Sequence, residues 1–287
     1  MQAKRKKEEG KNTYFFLLPS SFFSISLRAT IRSMNKRLIV GNWKMNPLTL
    51  SDAKKIARMA RRAAASLLHT EVVICPPLVF IPACISKIEP DTVSVGAQNI
   101  SAYEDSPHTG EISGTILHNL GARYVIVGHS EVRAVGESDE TVSKKIQMAL
   151  SAGLRPVVCV GELVRDEGGA YMDTLRTQIR DSFANVPKSQ ARNIVLAYEP
   201  VWAIGAKEAM LPEQIYEMSL FVKKAFADVF GHDPAMKVPV LYGGSVTYRN
   251  AADIISVGKV DGLLPGRESV NMSGFPDLLH AVDSVPI

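Results

Sequence analysis

A carboxylate ends one apolar segment of the sequence, in the run Ala197-Tyr198-Glu199-Pro200. Residues 194–198 form a short, continuous apolar stretch, which is typical of a strand buried on both faces of a sheet. Because Pro200 has no N–H to donate to a sheet, the chain must leave the sheet at Glu199. A carboxylate at the mouth of a ligand site can act as a general base, but a single Glu at a strand end is also a common solvated side chain.

Polar side chains also follow most of the other short apolar runs. They are Asn42 and Lys44 after the first run, Gln98 and Asn99 after the third, His129, Ser130 and Glu131 after the fourth, and Glu162 after the fifth; the last two runs lead into Tyr242-Gly243-Gly244-Ser245 and Gly266-Arg267. Taken alone, each has an ordinary structural explanation, such as a surface lysine, a turn-forming asparagine, a core histidine or an acid that starts a helix. Whether they act together depends on how the runs are arranged in space.

Short β-branched runs alternate with longer amphipathic segments from Arg37 onward. The runs predict strands over 37–42, 72–75, 93–97, 124–128, 156–160, 194–198, 239–243 and 261–264. The amphipathic segments predict helices such as 51–68, 138–152, 170–184 and 212–230. Eight strand-helix units without a break in composition indicate an α/β protein with one closed (β/α)8 barrel over residues 34–287.

Two doubly wound domains are the alternative to a barrel. No linker rich in Pro, Gly or Ser divides residues 34–287, and no Gly-x-Gly-x-x-Gly follows the first predicted strand, which counts against that alternative. In a barrel, functional residues lie at the carboxyl ends of the strands. The polar residues that follow the runs are therefore expected to converge on one site.

The charge and the cysteines exclude some classes of function. The chain has 287 residues and a formal net charge of +4, but residues 34–287 hold 26 basic and 27 acidic side chains and are close to neutral. A neutral body does not indicate nucleic-acid binding. Cys75, Cys84 and Cys159 lack metal-ligand spacing and lie in or beside apolar runs, which favours buried free thiols over a disulfide.

Residues 1–33 differ in composition from the rest of the chain. A basic stretch at 4–7 precedes an apolar stretch over 14–27 that Pro19 and several serines interrupt, so a membrane-spanning helix is not expected. Met34 directly precedes the first strand pattern. We interpret residues 1–33 as an N-terminal extension that is disordered, removed or upstream of the true start, with an organelle transit peptide as the alternative.

Six motifs, taken in order, resemble those of the triosephosphate isomerase family. They are Gly41-Asn42-Trp43-Lys44-Met45-Asn46, Val95-Gly96-Ala97-Gln98-Asn99, Thr109-Gly110-Glu111-Ile112-Ser113, Val127-Gly128-His129-Ser130-Glu131, the run from Tyr198 to Gly205, and Tyr242-Gly243-Gly244-Ser245-Val246. The match in order and spacing extends over residues 36–283. The resemblance implies a single-domain TIM barrel that interconverts dihydroxyacetone phosphate and glyceraldehyde 3-phosphate through an enediol(ate), in glycolysis and gluconeogenesis, with no cofactor and no metal ion.

The resemblance also implies a role for each of five polar residues. A carbon acid beside a carbonyl needs a base, and Glu199 matches the family's glutamate. The oxyanion that develops on the substrate needs donors, and His129 matches the family's electrophile, while Lys44 and Asn42 add a cation and an amide. Glu131 is expected beside Lys44, as an ion-pair partner or a proton relay.

The phosphate is expected to bind to backbone N–H groups at the end of the barrel's last loops. Gly205, Ser245 and Gly266 match the family's phosphate-contacting positions, and Asn42 and Lys44 complete the substrate-binding set. Arg267 stands where the family usually has a second glycine. Its N–H remains available, and for its side chain we favour an orientation away from the ligand over a direct contact.

The loop that closes the site also departs from the family pattern. Residues 206–211 read Ala-Lys-Glu-Ala-Met-Leu, where the family usually has a Thr-Gly-Lys-type tip followed by small hinge residues. The loop length from Glu199 to Pro212 is kept, so closure is expected to persist. Tyr242 and Ser245 are the expected partners that latch the closed loop.

A homodimer in the cytoplasm is the family expectation. The loop 103–111, with Thr109 and Gly110, would enter a second subunit near Asn42 and Met45. Val132 replaces an arginine that is usual in the family, although Arg133 is kept, which leaves tetramers or altered dimers open. Organelle targeting by residues 1–33 is left open as well, and neither a nucleic acid nor a membrane is an expected partner.

Two other functions remain as alternatives. One is a related tetrulose-phosphate isomerase, since the Gly266-Arg267 pair also occurs there. The other is a barrel that binds a phosphate compound without catalysis. The presence of Asn42, Lys44, His129 and Glu199 together counts against this last alternative, because binding alone does not need a base.

Overall fold

Eight parallel strands close into a barrel in the order of the sequence, and β8 pairs with β1 to complete it. This computed structural model describes residues 36–88, 92–205 and 209–287. The strands are β1 (Arg37–Asn42), β2 (Thr70–Cys75), β3 (Ser94–Ala97), β4 (Tyr124–Val127), β5 (Arg155–Val160), β6 (Val195–Tyr198), β7 (Val240–Tyr242) and β8 (Gly262–Leu263). The predicted (β/α)8 barrel is confirmed, while the predicted extension over residues 1–33 lies outside the described residues.

Helices connect the strands along the described part of the chain. The α-helices are Leu50–Ala64, Ile81–Ile85, Gly114–Asn119, Ser130–Arg133, Asp139–Ser151, Ala170–Ser182, Pro212–Phe230, His232–Lys237, Ala251–Ser256 and Gly274–Asp283, and short 3-10 turns lie at Leu78–Phe80, Lys188–Asn193, Val201–Ala203 and Arg267–Val270. The helix predicted over 51–68 ends at Ala64. β2 begins at Thr70, two residues before the predicted start, so the chain must leave the helix earlier to reach it.

Side-chain caps fix where several of these helices begin. The hydroxyl of Thr49 accepts the N–H of Asp52 at 3.1 Å, and the hydroxyl of Ser138 accepts the N–H of Thr141 at 3.2 Å. Each cap satisfies a backbone donor that has no partner within its own helix. Pro212 starts the longest helix at a position where its missing N–H costs nothing.

The strand period of two divides the core into two layers. Alternate residues such as Val40, Val73, Val157 and Val195 fill the barrel interior, and the residues between them pack outward against the helices. The same period determines which residues at the carboxyl ends of the strands face the barrel axis. Glu199 continues the inward set of β6 two residues beyond Ala197. In the same way, Asn42 follows Val40 and Gly243 follows Leu241, so all three positions face the axis at the carboxyl end.

The three cysteines lie in the core of the barrel domain. Cys75, Cys84 and Cys159 are buried free thiols, as predicted. Burial raises the pKa of the Cys84 thiol to about 12, because a thiolate loses its hydration in an apolar core. Among the described residues, no helix is both long enough and apolar enough to cross a membrane.

Candidate active site

The carboxyl ends of the strands surround a cavity of about 590 Å³. Glycines and polar side chains from several loops line it. The predicted site residues among them are Asn42, Lys44, His129, Glu199, Gly205, Ser245, Gly266 and Arg267. The structure therefore brings together side chains that lie more than 200 positions apart in the sequence.

The loop after β1 presents Lys44 in a conformation that non-glycine residues rarely adopt, with φ at 52°. Its N–H donates to Oδ1 of Asn42 at 3.0 Å, and Nε2 of Gln98 donates to its carbonyl at 2.8 Å. Gln98 also donates to the carbonyl of Cys75, which ties the loop to the end of β2. Because Oδ1 of Asn42 is used in this turn, the amide nitrogen of Asn42 is the atom left to donate to a ligand.

The ammonium group of Lys44 is held by Glu131. Nζ lies 2.5 Å from Oε1 of Glu131, whose side chain is 60% exposed. An ion pair this open to solvent adds little to the stability of the fold. It does restrict where the ammonium points, which keeps the charge at the edge of the cavity.

His129 lies between β4 and the helix Ser130–Arg133, where it acts as the N-cap. Its Nδ1 accepts the N–H of Glu131 at 3.1 Å. A ring nitrogen that accepts a hydrogen bond carries no proton, so this contact fixes a neutral imidazole with its hydrogen on Nε2. Nε2 faces Glu199 and lies 3.4 Å from its Oε1. The ring can therefore donate one hydrogen bond into the cavity.

Glu199 is buried, with 3% of its surface exposed, and glycines pack around it. Its N–H donates to the carbonyl of Val160 at 2.8 Å. A Cβ at position 161 would lie 1.8 Å from the carbonyl oxygen of Glu199, and one at position 243 would lie 2.6 Å from its Cγ. The two glycines are thus required for the strand ends to close around the carboxylate. Within the described part of the chain, Oε2 of Glu199 has no hydrogen-bond partner.

Cys159, which the sequence predicts only as a buried thiol, lies beside Glu199 in the structure. Burial raises the pKa of this thiol well above its ordinary value, and the nearby charge of Glu199 raises it further. The thiol therefore stays protonated next to the Glu199 carboxylate. The strand period was the available signal, since Cys159 and Ala197 are paired across β5 and β6 and both point inward.

The other end of the cavity is built from backbone and from one exposed cation. Gly205 has φ at 72°, a conformation that favours glycine, and Gly266 precedes the 3-10 turn Arg267–Val270. Nη2 of Arg267 lies 3.9 Å from where a Cβ on Gly205 would be. The Arg267 side chain therefore lies beside Gly205 at the cavity, and its orientation relative to a bound phosphate stays a prediction.

Both ends of the loop between β6 and the helix at Pro212 have partners on the barrel. At the entry, Nε1 of Trp202 donates to Oε1 of Glu162 at 3.0 Å. At the exit, the N–H of Met210 donates to Oη of Tyr242 at 3.2 Å. The hydroxyl of Ser245 donates to the carbonyl of Ala203 at 3.1 Å. Tyr242 and Ser245, the two expected latch residues, thus contact the loop directly.

Asn99 does not join the other polar residues at the cavity. Its Oδ1 accepts a hydrogen bond from Nζ of Lys145 at 2.8 Å, and the same ammonium lies 2.5 Å from Oε1 of Glu137. Lys145 and Glu137 are both nearly buried, so neither charge can lose its partner without a large loss of stability. This cluster holds loops together below the site.

The arrangement at the cavity suits proton transfer at a carbon beside a carbonyl. A buried carboxylate lies next to a neutral imidazole donor, and an ammonium and an amide are within the same cavity. Backbone N–H groups at the opposite end suit a phosphate. Among the described residues, no group of three or more His, Cys, Asp or Glu side chains could hold a metal ion.

Comparisons with known proteins agree with this geometry. The family model described as triosephosphate isomerase matches residues 37–282. The chain is 39% identical over 254 residues to a triosephosphate isomerase of Rhodopirellula baltica, which covers 88% of this chain and 100% of the relative. It is 37% identical over 248 residues to one of Endomicrobium trichonymphae, covering 86% and 98% of the two chains. It is also 39% identical over 250 residues to one of Thermus thermophilus, covering 86% and 99%. The chain belongs to the triosephosphate isomerase family.

Proposed function

We propose that this protein interconverts dihydroxyacetone phosphate and glyceraldehyde 3-phosphate by proton transfer. The observation that supports this most is the pairing of a buried carboxylate with a neutral imidazole, 3.4 Å apart, at the wall of one cavity. A base and an oxygen-directed donor at this separation can act on adjacent atoms of a three-carbon substrate.

Glu199 removes a proton from the carbon beside the carbonyl and returns it to the neighbouring carbon. His129 donates through Nε2 to the oxygen on which charge develops, and the ammonium of Lys44 and the amide of Asn42 stabilise the same charge. A proton moves between the two substrate oxygens, so the reaction needs no net proton, electron or cofactor. Glu131 acts through Lys44, since it contacts the ammonium and not the substrate.

The phosphate binds at the opposite end of the cavity. The proposed donors are the backbone N–H groups of Gly205, Ser245, Gly266 and Arg267. The guanidinium of Arg267 lies beside Gly205 and forms no hydrogen bond or ion pair with the residues that the structure describes. It therefore adds a positive charge to the phosphate end.

An isomerase assay with purified protein tests the proposal. We expect turnover of triose phosphate in both directions, and much slower turnover of a tetrulose phosphate. Faster turnover of the longer sugar phosphate would assign the chain to the alternative isomerase. Binding of triose phosphate without turnover would mean that the barrel is a non-catalytic phosphate-binding protein.

We propose that the protein acts as a homodimer. Met45 and Leu48 are 84% and 85% exposed, and Val79 is 75% exposed, which is unusual for large apolar side chains on a barrel surface. Tyr103 stacks on His108 at 3.9 Å and gives the loop 103–111, with Thr109 and Gly110, a defined shape. Docking of this loop near Met45 of a second copy would cover those residues. Sedimentation of the purified protein tests this, and a monomer at assay concentration would contradict it.

We also propose that residues 34–287 form the catalytic domain and that the protein works in the cytoplasm. The strand ends and loops that line the cavity all lie after Met34. A variant that starts at Met34 should retain full isomerase activity. Loss of activity on truncation would show that residues 1–33 contribute to the catalytic domain. Import of a fusion of residues 1–33 to a reporter would show organelle targeting instead.

A further inference from the structure

The exit of the closing loop is held by a residue that this chain does not share with the usual family pattern. The family usually has small residues at this hinge, and here Met210 occupies it. Met210 is 3% exposed, although the next residue, Leu211, is 62% exposed. A long side chain that is buried while the next residue is exposed indicates a specific anchoring contact.

Three groups surround this methionine. Its N–H donates to Oη of Tyr242 at 3.2 Å. Its Sδ lies 4.0 Å from Oη of Tyr198 and 3.6 Å from Nη1 of Arg165. The thioether thus lies between the last residue of β6 and the loop after β5. A sulfur atom is a weak acceptor, so shape and dispersion hold it there more than hydrogen bonding does.

The Arg165 side chain is held in place by Tyr171, so the position that it offers to the Met210 sulfur is well defined. Its guanidinium stacks over the ring of Tyr171 at 4.8 Å, and Nη2 donates to Oη of the same residue at 3.2 Å. Tyr171 belongs to the helix Ala170–Ser182, so the contact connects the loop exit to an outer helix of the barrel. Small residues at the hinge would not reach this far.

The entry and the exit of the loop both contact the hydrogen-bonded pair of Tyr198 and Glu162. The hydroxyl of Tyr198 donates to Oε1 of Glu162 at 2.9 Å, and Nε1 of Trp202 donates to the same oxygen at 3.0 Å. Tyr198 contacts Met210 on its other side and directly precedes Glu199. The two ends of the loop and the base are therefore connected through one tyrosine.

We propose that Met210 is a positioning residue for the closing loop. Its thioether, held between Tyr198 and Arg165, keeps the exit of the loop against the Tyr198 and Glu162 pair that also holds the entry. The inference concerns how well the loop covers the site, and it rests on the isomerase function proposed above. Only its effect on turnover depends on that function, because the anchoring contact can be measured without it.

The chemical consequence concerns the enediolate. If this intermediate is exposed to water, its oxyanion can become a carbonyl while the carbon-carbon double bond shifts and expels the phosphate, and the enol that remains tautomerises to an α-ketoaldehyde. The carbon-oxygen bond to the phosphate breaks, and one triose phosphate gives one α-ketoaldehyde and one inorganic phosphate. A loop that covers the site suppresses this loss. The ratio of phosphate released to triose phosphate isomerised therefore reports how well the loop is held.

The test compares Met210→Ala with Met210→Leu, and uses Met236→Ala as the matched control because Met236 is an exposed methionine on another helix. For Met210→Ala we expect kcat to fall about 5- to 20-fold with KM changed less than about 3-fold, and the phosphate ratio to rise about 5-fold or more. Met210→Leu refills the space and should return within about 2-fold of the original protein on each measure. Arg165→Gln should shift the phosphate ratio in the same direction by a smaller factor.

A second measurement does not depend on catalysis. The fluorescence emission of Trp202 in the ligand-free protein should change in Met210→Ala, because the contact of Trp202 with Glu162 loosens. The Trp202→Phe variant separates the emission of Trp202 from that of Trp43. If the phosphate ratio and the Trp202 emission of Met210→Ala both match those of Met236→Ala, the inference is wrong. If only the melting temperature falls, Met210 is a packing residue and the inference is also wrong. Lack of turnover in the unaltered protein would overturn the proposed function, while the emission would still decide the role of Met210.

Discussion

The two ends of the cavity are built on different principles. At the proposed reacting end, Glu199 and His129 are buried side chains whose positions are fixed by backbone contacts and by the closely packed Gly161 and Gly243. At the phosphate end, the proposed donors are backbone N–H groups, and the exposed Arg267 is the side chain that lies beside them. The reacting end therefore depends on which side chains are present, and the phosphate end on how the backbone turns.

This difference explains where the chain departs from the family pattern. The proposed proton transfer needs a base and an oxygen-directed donor at defined atoms, so the side chains at Glu199 and His129 are expected to tolerate little change. A backbone N–H is supplied by any residue except proline, provided that the local φ is accessible. Arg267 can therefore stand in place of a glycine, while the residues at the reacting end match the pattern.

Replacement of Glu199, the proposed base, is the strongest test of the proposed reacting end. Glu199→Gln keeps the size of the side chain and removes the base, so we expect kcat to fall about 10³-fold with little change in KM. Glu199→Asp keeps the carboxylate but withdraws it by one methylene, and should lose about 10²-fold. Steady-state kinetics with triose phosphate give both values. Activity near that of the unaltered protein in either variant would show that Glu199 is not the base.

The neutral imidazole is the second test of the reacting end. His129→Gln can still donate a hydrogen bond, but its amide cannot reproduce both the cap to the N–H of Glu131 and the direction of Nε2. We expect kcat to fall about 10²-fold, since one donor to the developing oxyanion is misplaced. A loss smaller than about 5-fold would mean that Lys44 and Asn42 supply the stabilisation without the ring. Circular dichroism during thermal unfolding separates this from a loss of fold.

Much of the reacting end can be predicted from the sequence, for a physical reason. The strand period predicts that Asn42 and Glu199 face the barrel axis, because each lies two residues beyond an inward-facing apolar residue. The strand period also predicts that Cys159 points inward, but its contact with Glu199 needs the pairing of β5 with β6, and the hydrogen bond of Asn99 with Lys145 has no signal in the sequence. These depend on how the barrel closes and on loop conformation, and neither is a local property of the sequence.

The phosphate end and the closing loop were harder to predict. The position of the Arg267 side chain beside Gly205 depends on the loop conformation. The family pattern could not predict it, because that pattern has a glycine at this position and so gives no information about a side chain. The anchor of Met210 needs Arg165 and Tyr242, which approach only in the folded barrel. The loop length and the latch residues Tyr242 and Ser245 were easier to predict. They depend on where β6 and β7 end, and the apolar runs of the sequence indicate those ends.

Gly243 connects the two ends, and its replacement tests whether backbone shape can control the base. A Cβ at this position would lie 2.6 Å from Cγ of Glu199, so the carboxylate must move. We expect Gly243→Ala to lower kcat about 10- to 100-fold with a smaller change in KM. Gly168→Ala is the matched control, because it adds the same methyl group on an exposed turn where the nearest atom is a flexible carboxylate oxygen of Asp166. Equal activities of the two variants would show that the base tolerates the displacement.

The smallest expected effect is at Arg267, whose side chain adds a positive charge to a proposed phosphate site that consists mainly of backbone N–H groups. Arg267→Gln keeps the N–H and most of the stem, and removes the positive charge. The guanidinium is exposed, so its attraction to a bound phosphate is screened by solvent. We expect KM for triose phosphate to rise about 2- to 5-fold with kcat unchanged, and the rise to shrink as salt is added.

Arg267→Lys and Arg267→Gly separate charge from backbone. The lysine variant keeps the charge and should stay within about 2-fold of the unaltered KM, while the glycine variant should resemble Arg267→Gln if the turn is preserved. A fall in kcat in the glutamine variant would show that Arg267 acts on the reaction and not on phosphate binding alone. In that case the two ends of the cavity would not be separable, because a side chain at the phosphate end would control chemistry at Glu199. An unchanged KM in all three variants would mean that the backbone alone holds the phosphate.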